Sequence, residues 1–261
     1  MDDAEPVLLR TEIVENVAVV TLLAAEGTFP WGTRLAEHRL NPPLLRQLHR
    51  ALDDAERQAA QALVVVGEGR FFSNGMDLQY IRANAGESTR LQADAESLLS
   101  RILTLGVPTV AALNGHFAAA GGMLGLAFDV RLMPSDGQGL FFVPGIDLGL
   151  VYSEGMTELM KAKLPPQMWT DTLCFAKRYV CAELLHFGVV RSAPPLAELR
   201  ARALEVAAQL RSKGKDAKTR ETLHGIKLNL YRNVVWALRN RVQDMGFADG
   251  TWSSTGRASK L

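Results

Sequence analysis

Apolar and polar positions along the first half of the chain follow two alternating rhythms. From Val7 to Leu23, VLLRTEIV and VAVVTLL run apolar or alternate on either side of Glu15-Asn16, which predicts two strands joined by a hairpin turn. AAEGTFPWGTRLAEHRL follows with no period, broken by Gly27, Pro30 and Gly32. Asn41-Pro42-Pro43 then opens a helix in which Asn41 is the N-cap, the prolines occupy the first turn, and Leu44, Leu45, Leu48, Leu52 and Ala55 share a face. ALVVVGEG reads as a buried parallel strand ended by glycines. In GRFFSNGMDLQYI the pair Asn74-Gly75 forces a sharp turn, and a helix begins around Asp77.

A long amphipathic helix through QADAESLLSRILTL leads to the strand PTVAAL and then to LNGHFAAAGGMLGLAFD, from Leu113 to Asp129. This stretch carries no charged side chain before Asp129 and gathers Ala118, Ala119, Ala120, Gly121 and Gly122 at a turn between a strand and an apolar helix. Such a turn leaves the first N–H groups of the helix in the open, able to face an anion or a developing oxyanion. The same small residues also suit a core helix that merely packs tightly. VRLM is a further strand, Ser135–Gln138 a loop, and LFFVPGIDLGLVYSEGMTELMKAKLPP an apolar run, a turn and a helix broken by Pro165-Pro166. From Met168 onward the pattern reads as helix after helix, so the chain divides into a βαβ core and a helical C-terminal part.

Composition narrows the functional classes. With 261 residues, 48% hydrophobic and 22% charged, the chain supports a full-sized core, and its net charge of +1 gives no argument for nucleic acid as a partner. No segment is apolar for long enough to span a bilayer, and MDDAEPVLLR is acidic where a secretory signal is basic. Cys174 and Cys181 match no zinc or redox spacing, the histidines 38, 49, 116, 186 and 224 lack paired spacing, and no GxSxG elbow occurs, so no metal site and no common serine hydrolase is expected. Ser259-Lys260-Leu261 has the form of a C-terminal peroxisomal address read by an import receptor, following the polar WSSTGRA.

Two loops carry a resemblance. FFSNGMDL after one buried strand and NGHFAAAGGMLGLAFD after the next, in that order, with EHRLNPPLLRQL upstream and a helical C-terminus, resemble the crotonase superfamily, the enoyl-CoA hydratase/isomerase family, over almost the whole chain. The resemblance implies an α/β fold built as a spiral of ββα units over residues 1–195, a helical region at 196–258 used in assembling a homotrimer or a dimer of trimers, and the targeting tripeptide at 259–261. It also implies acyl-CoA thioester substrates, with coenzyme A as part of the substrate and no separate cofactor.

The chemistry of such a substrate agrees with the loops. Loss of a proton from the α-carbon of a thioester gathers charge on the carbonyl oxygen, and two main-chain N–H groups aimed at that oxygen stabilise it by roughly 3 kcal/mol each. By position in the motifs these are the N–H groups of Met76 and Ala120, next to Gly75 and Gly121. Hydratases of the family carry two glutamates, and the resemblance puts Met123 and Gly145 in those places; neither can move a proton, so hydration is not expected. DLGLVYSEGMTEL instead resembles peroxisomal Δ3,Δ2-enoyl-CoA isomerases, in which the glutamate of a Glu-Gly pair is the base. Glu154 is then the acid/base that moves a proton from C2 to C4, with Glu158 and Asp147 in reserve; alternatively Glu154 is a helix-start charge stabilised by the helix dipole. The same resemblance implies that Arg39, Leu40, Ser73, Asn74 and Asp77 border the pantetheine and adenine, although Arg39 also fits a solvated surface charge. Isomerisation of a 3-enoyl-CoA to the 2-trans form in a peroxisome is the leading expectation. A hydratase or thioester hydrolase using another base, and an acyl-CoA-binding protein without catalysis, are its rivals.

Overall fold

The computed structural model describes residues 5–84 and 86–240. Glu15 and Asn16 both take left-handed backbone, with φ of 47° and 66°, the twist a tight hairpin requires. They join β1 (Leu9–Val14) to β2 (Val17–Leu22), the only antiparallel neighbours in a sheet of order β1-β2-β3-β5-β7. Its other members, β3 (Ala62–Gly67), β5 (Thr109–Ala112) and β7 (Val130–Leu132), are parallel and buried throughout. The pleat sends alternate side chains to opposite faces. Ala18, Val20, Leu63, Val65 and Ala111 enter the main core, whereas Val17, Val19, Val64, Val66 and Val110 face a second apolar layer with Leu199, Ala203 and Ala207. A sheet covered on both faces explains why ALVVV is uninterrupted rather than alternating.

Every later unit repeats one path. After β3 the chain turns into β4 (Phe71–Ser73), after β5 into β6 (His116–Ala118), and after β7 into β8 (Phe141–Phe142); β4, β6 and β8 form a second, three-stranded parallel sheet. Helices follow each pair: α2 (Leu78–Ala83) and α3 (Ser88–Leu103), then α4 (Ala120–Ala127), then α5 (Gly145–Leu148) and α6 (Glu154–Lys163). This is the spiral of ββα units. α1 (Pro42–Arg57) precedes them, its start fixed by Asn41, whose side chain accepts the Leu44 N–H at 3.1 Å.

The second half departs from a simple run of helices. Between Met168 and Pro195 the structure has a short wide turn at Thr170–Cys174 and one brief helix, α7 (Cys181–His186). Tyr179 lies between them in extended backbone, exchanging N–H···O bonds of 3.0 and 2.8 Å with Phe141 and burying its ring beside that of Phe141. That tertiary pairing overrides the local helical pattern. Beyond it, α8 (Leu199–Leu210) covers the outer face of the large sheet, while α9 (Ala217–Leu230) leads to α10 (Arg232–Asn240), which packs on α3 and α6. Among the described residues no helix is long and apolar enough to cross a membrane.

Candidate active site

Two strand-to-helix elbows meet at one spot. At the end of β4, Gly75 has φ +81°, a conformation that disfavours any side chain. Its carbonyl accepts the Leu40 N–H at 2.8 Å. In a trans peptide the C=O and the following N–H point in opposite directions, so the Met76 N–H faces away from Leu40. At the end of β6, Ala119 takes φ +51° and ψ −129°, a strained setting for a residue with a Cβ. Its carbonyl accepts the N–H groups of Gly122 and Met123 at 2.9 and 3.3 Å, so the Ala120 N–H, first in α4, points outward. Among the described residues neither the Met76 nor the Ala120 N–H has a hydrogen-bond acceptor.

Close approach of the elbows depends on missing side chains. A Cβ on Gly75 would lie 2.8 Å from the Ala119 Cβ and 3.2 Å from the Ala120 nitrogen; one on Gly121 would lie 2.3 Å from the Ser73 carbonyl oxygen. The elbows border a cavity of about 270 Å³ whose walls include Met76, Ala118–Ala120, Met123, Phe142, Leu148, Leu150 and Met156. Met123 and Gly145, which the resemblance sets where hydratases are expected to carry glutamate, both line it. Among the described residues, Arg39 and Tyr152 are the only ionisable side chains in this lining. The Arg39 guanidinium is held by Glu37 at 2.6 Å and donates to the Asn74 and Met76 carbonyls at 3.2 and 3.3 Å. Arg39 is therefore neither a free surface charge nor remote from the elbow: it braces the loop that carries the Met76 N–H.

The structure brings Arg39, Asn74, Met76 and Ala120 to the cavity and Gly75 and Gly121 to the contact between the elbows. It does not bring Leu40, Ser73 or Asp77 there, and all three are fully buried. Leu40 bridges to Met76 as a strand neighbour, and the Ser73 hydroxyl donates to the His38 carbonyl at 2.7 Å. Asp77 is a hub of the fold: its carboxylate accepts from Trp31 Nε1 (2.9 Å), Thr33 Oγ1 (2.6 Å), Asn41 Nδ2 (3.0 Å) and the Tyr80 N–H (3.0 Å), which caps α2. A carboxylate buried this completely is satisfied by the fold and has no lone pair to spare for a ligand.

Glu154 is the first residue of α6, half-buried and outside the cavity lining, although Tyr152 and Met156 on either side of it line the cavity. Asp147 is exposed, and Glu158 pairs with Lys161 at 2.6 Å. The pattern missed Glu96. It is buried in α3, where one carboxyl oxygen accepts from the Ser153 hydroxyl (2.5 Å) and Gln92 Nε2 (2.9 Å) and the other has no partner among the described residues. Burial raises its pKa, so that the neutral acid is favoured. Its place at helical spacing from Gln92, Leu99 and Leu103, all buried, is the signal that marks it as inward. Among the described residues no cluster of His, Cys, Asp and Glu is arranged to hold a metal ion.

A family model, Enoyl-CoA hydratase/isomerase, matches residues 33–225. The chain is 30% identical over 196 residues to the peroxisomal enoyl-CoA delta isomerase 1 of Arabidopsis thaliana, covering 72% of this chain and 81% of the relative. It is also 30% identical over 204 residues to a probable enoyl-CoA hydratase of Rhodobacter capsulatus, covering 76% of this chain and 75% of that protein. The fold superimposes on a Mycobacterium tuberculosis protein described as an enoyl-CoA isomerase in one solved structure and as a probable enoyl-CoA hydratase in another, with TM-scores of 0.77 and 0.78 at 22% identity, over 90% of this chain and 96% and 93% of those chains.

Proposed function

The chain belongs to the enoyl-CoA hydratase/isomerase family, and from that premise we propose that it shifts the double bond of a 3-enoyl-CoA thioester to the conjugated 2-trans position. The observation that carries this reading is the pair of N–H groups without an acceptor among the described residues, Met76 and Ala120, at a cavity lined by Met123 and Gly145, which on the family resemblance replace the hydratase carboxylates. Two such donors suit the thioester oxygen of a dienolate. Hydration needs a group that activates water, and neither a thioether nor a hydrogen atom can do that. A double-bond shift needs only one proton carrier. We assign that role to Glu154, which is half-buried and lies between two cavity residues, Tyr152 and Met156, whereas Asp147 is exposed.

Glu154→Gln, assayed with 3-hexenoyl-CoA, tests the assignment. Loss of at least about 10²-fold in kcat with the affinity for CoA esters preserved supports it; activity near wild type removes Glu154 from the mechanism. One observation favours a second reading: among the described residues, none that lines the cavity is a carboxylate. On that reading the pocket binds acyl-CoA without turnover, and a wild-type protein that binds CoA esters but converts no enoyl-CoA would establish it. We further propose a peroxisomal setting, supported by the names of two Arabidopsis relatives; Ser259, Lys260 and Leu261, expected to carry the address, lie outside the described residues. We also propose assembly into a homotrimer or a dimer of trimers, for which Ile226 and Leu230 of α9, 57% and 68% exposed, offer apolar surface for contacts between copies.

A further inference from the structure

Tyr152 occupies the space into which a side chain at residue 145 would project. A Cβ on Gly145 would lie 2.3 Å from the Tyr152 hydroxyl oxygen and 2.4 Å from its Cζ. The phenol thus fills the place from which a side chain would otherwise reach the cavity, and it lines that cavity itself. Its hydroxyl accepts the Gly145 N–H at 2.5 Å and donates to the Val143 carbonyl at 2.8 Å, tying together the two sides of Pro144 at the corner between β8 and α5. Burial pushes the phenol pKa up, so the hydroxyl keeps the proton that this second bond requires.

The corner connects directly to the second elbow. Phe142, next to Val143, accepts the Ala119 N–H at 2.9 Å, and β8 pairs with β6 in register at Ala118 and Phe142. Ala119 is the strained residue whose conformation turns the Ala120 N–H outward. We propose that Tyr152 is a positioning residue for the thioester oxygen: through the Val143–Gly145 clasp and the Phe142–Ala119 bond it fixes where the Ala120 N–H is aimed. Only a hydroxyl performs this task, because one atom must accept from Gly145 and donate to Val143. Phenylalanine keeps the ring but leaves an N–H and a C=O without partners in a half-buried place. The inference rests on the reading that the cavity takes an acyl-CoA thioester.

The test is Y152F, read by the C=O stretch of a bound saturated acyl-CoA labelled with ¹³C at the thioester carbonyl, alongside kcat and KM. A carbonyl gripped by two N–H groups absorbs at lower frequency than the free thioester. In Y152F that shift shrinks toward the free value and kcat falls about tenfold, the size expected for a misaimed donor, while the dissociation constant for the CoA ester stays within about threefold. A Y152F protein with the wild-type carbonyl shift overturns the proposal. Should Y152F melt below the assay temperature, G145A decides the matter, since its Cβ displaces the hydroxyl: a diminished shift supports the clasp and an unchanged one refutes it. The spectrum needs no turnover. A wild type that shifts the carbonyl without isomerising contradicts the proposed reaction and not the role of Tyr152, whereas a wild type that shifts no acyl-CoA carbonyl contradicts both.

Discussion

Replacing Gly75 by alanine tests the oxyanion arrangement where it is most sensitive. At φ +81° an added Cβ brings about 1–2 kcal/mol of backbone strain. The same Cβ would stand 2.8 Å from the Ala119 Cβ, 3.0 Å from the Ala118 carbonyl oxygen and 3.2 Å from the Ala120 nitrogen. All three belong to the opposite elbow, which rests on the Ala119–Phe142 and Ala119–Gly122 bonds, so relief comes from the elbows moving apart. Overpacking of this kind costs about 1–3 kcal/mol. The total destabilisation is then about 2–5 kcal/mol, comparable with the smaller native stabilities but within the usual range for a domain. Separation also pulls the Met76 and Ala120 N–H groups off a common oxygen, and loss of one donor costs about 2.7–4 kcal/mol in the transition state, or 10²–10³ in kcat. The assay follows formation of the conjugated thioester from 3-hexenoyl-CoA at a temperature where circular dichroism shows the variant folded. A folded G75A protein with kcat within about threefold of wild type would refute the reasoning, because the donors would then tolerate being pushed apart.

Two further outcomes follow from buried carboxylates. D77N replaces an acceptor of four hydrogen bonds with an amide whose NH₂ group faces donors; it should lower unfolding free energy by about 3 kcal/mol in a urea titration, and a loss of CoA-ester affinity without loss of stability would put Asp77 at the substrate instead. Glu96 has its pKa raised by burial, so the native state holds a proton that the unfolded chain releases, and stability falls as pH rises from the unfolded value near 4.3 through the raised native one. E96Q, neutral at every pH, should therefore gain on wild type as the pH rises above the unfolded value near 4.3; a stability difference between the two proteins that stays constant from about pH 3 upward would contradict a raised native pKa.

Much of the scaffold was legible because its signals are local. Glu15-Asn16 specifies a hairpin, Asn41 a helix start, and Gly75 a turn with positive φ, and each takes the conformation its chemistry favours. Parallel strands such as ALVVV announce their burial by being apolar throughout. The stretch from Met168 to Pro195 was not legible, because Tyr179 leaves the helical pattern for a partner, Phe141, far back in the chain. Site residues divide in the same way. Met76 and Ala120 come from the two loops on which the family resemblance rests, and both border the cavity. Ser73 and Asp77 sit in the same loop, yet the fold uses them internally, since the donors that saturate Asp77 come from Trp31, Thr33 and Asn41, and no local pattern links those to it. Tyr152 escaped notice for a related reason: its partners are main-chain groups at Val143 and Gly145, and hydrogen bonds to backbone leave no trace in side-chain identity.

The most direct test of the whole account is a crystal structure with a non-reactive acyl-CoA bound, measured at the thioester oxygen. The account predicts that oxygen within about 3.1 Å of both the Met76 and the Ala120 nitrogens, with the acyl chain against Met123 and Met156. An oxygen that meets neither nitrogen, or a thioester seated away from the two elbows, would contradict it.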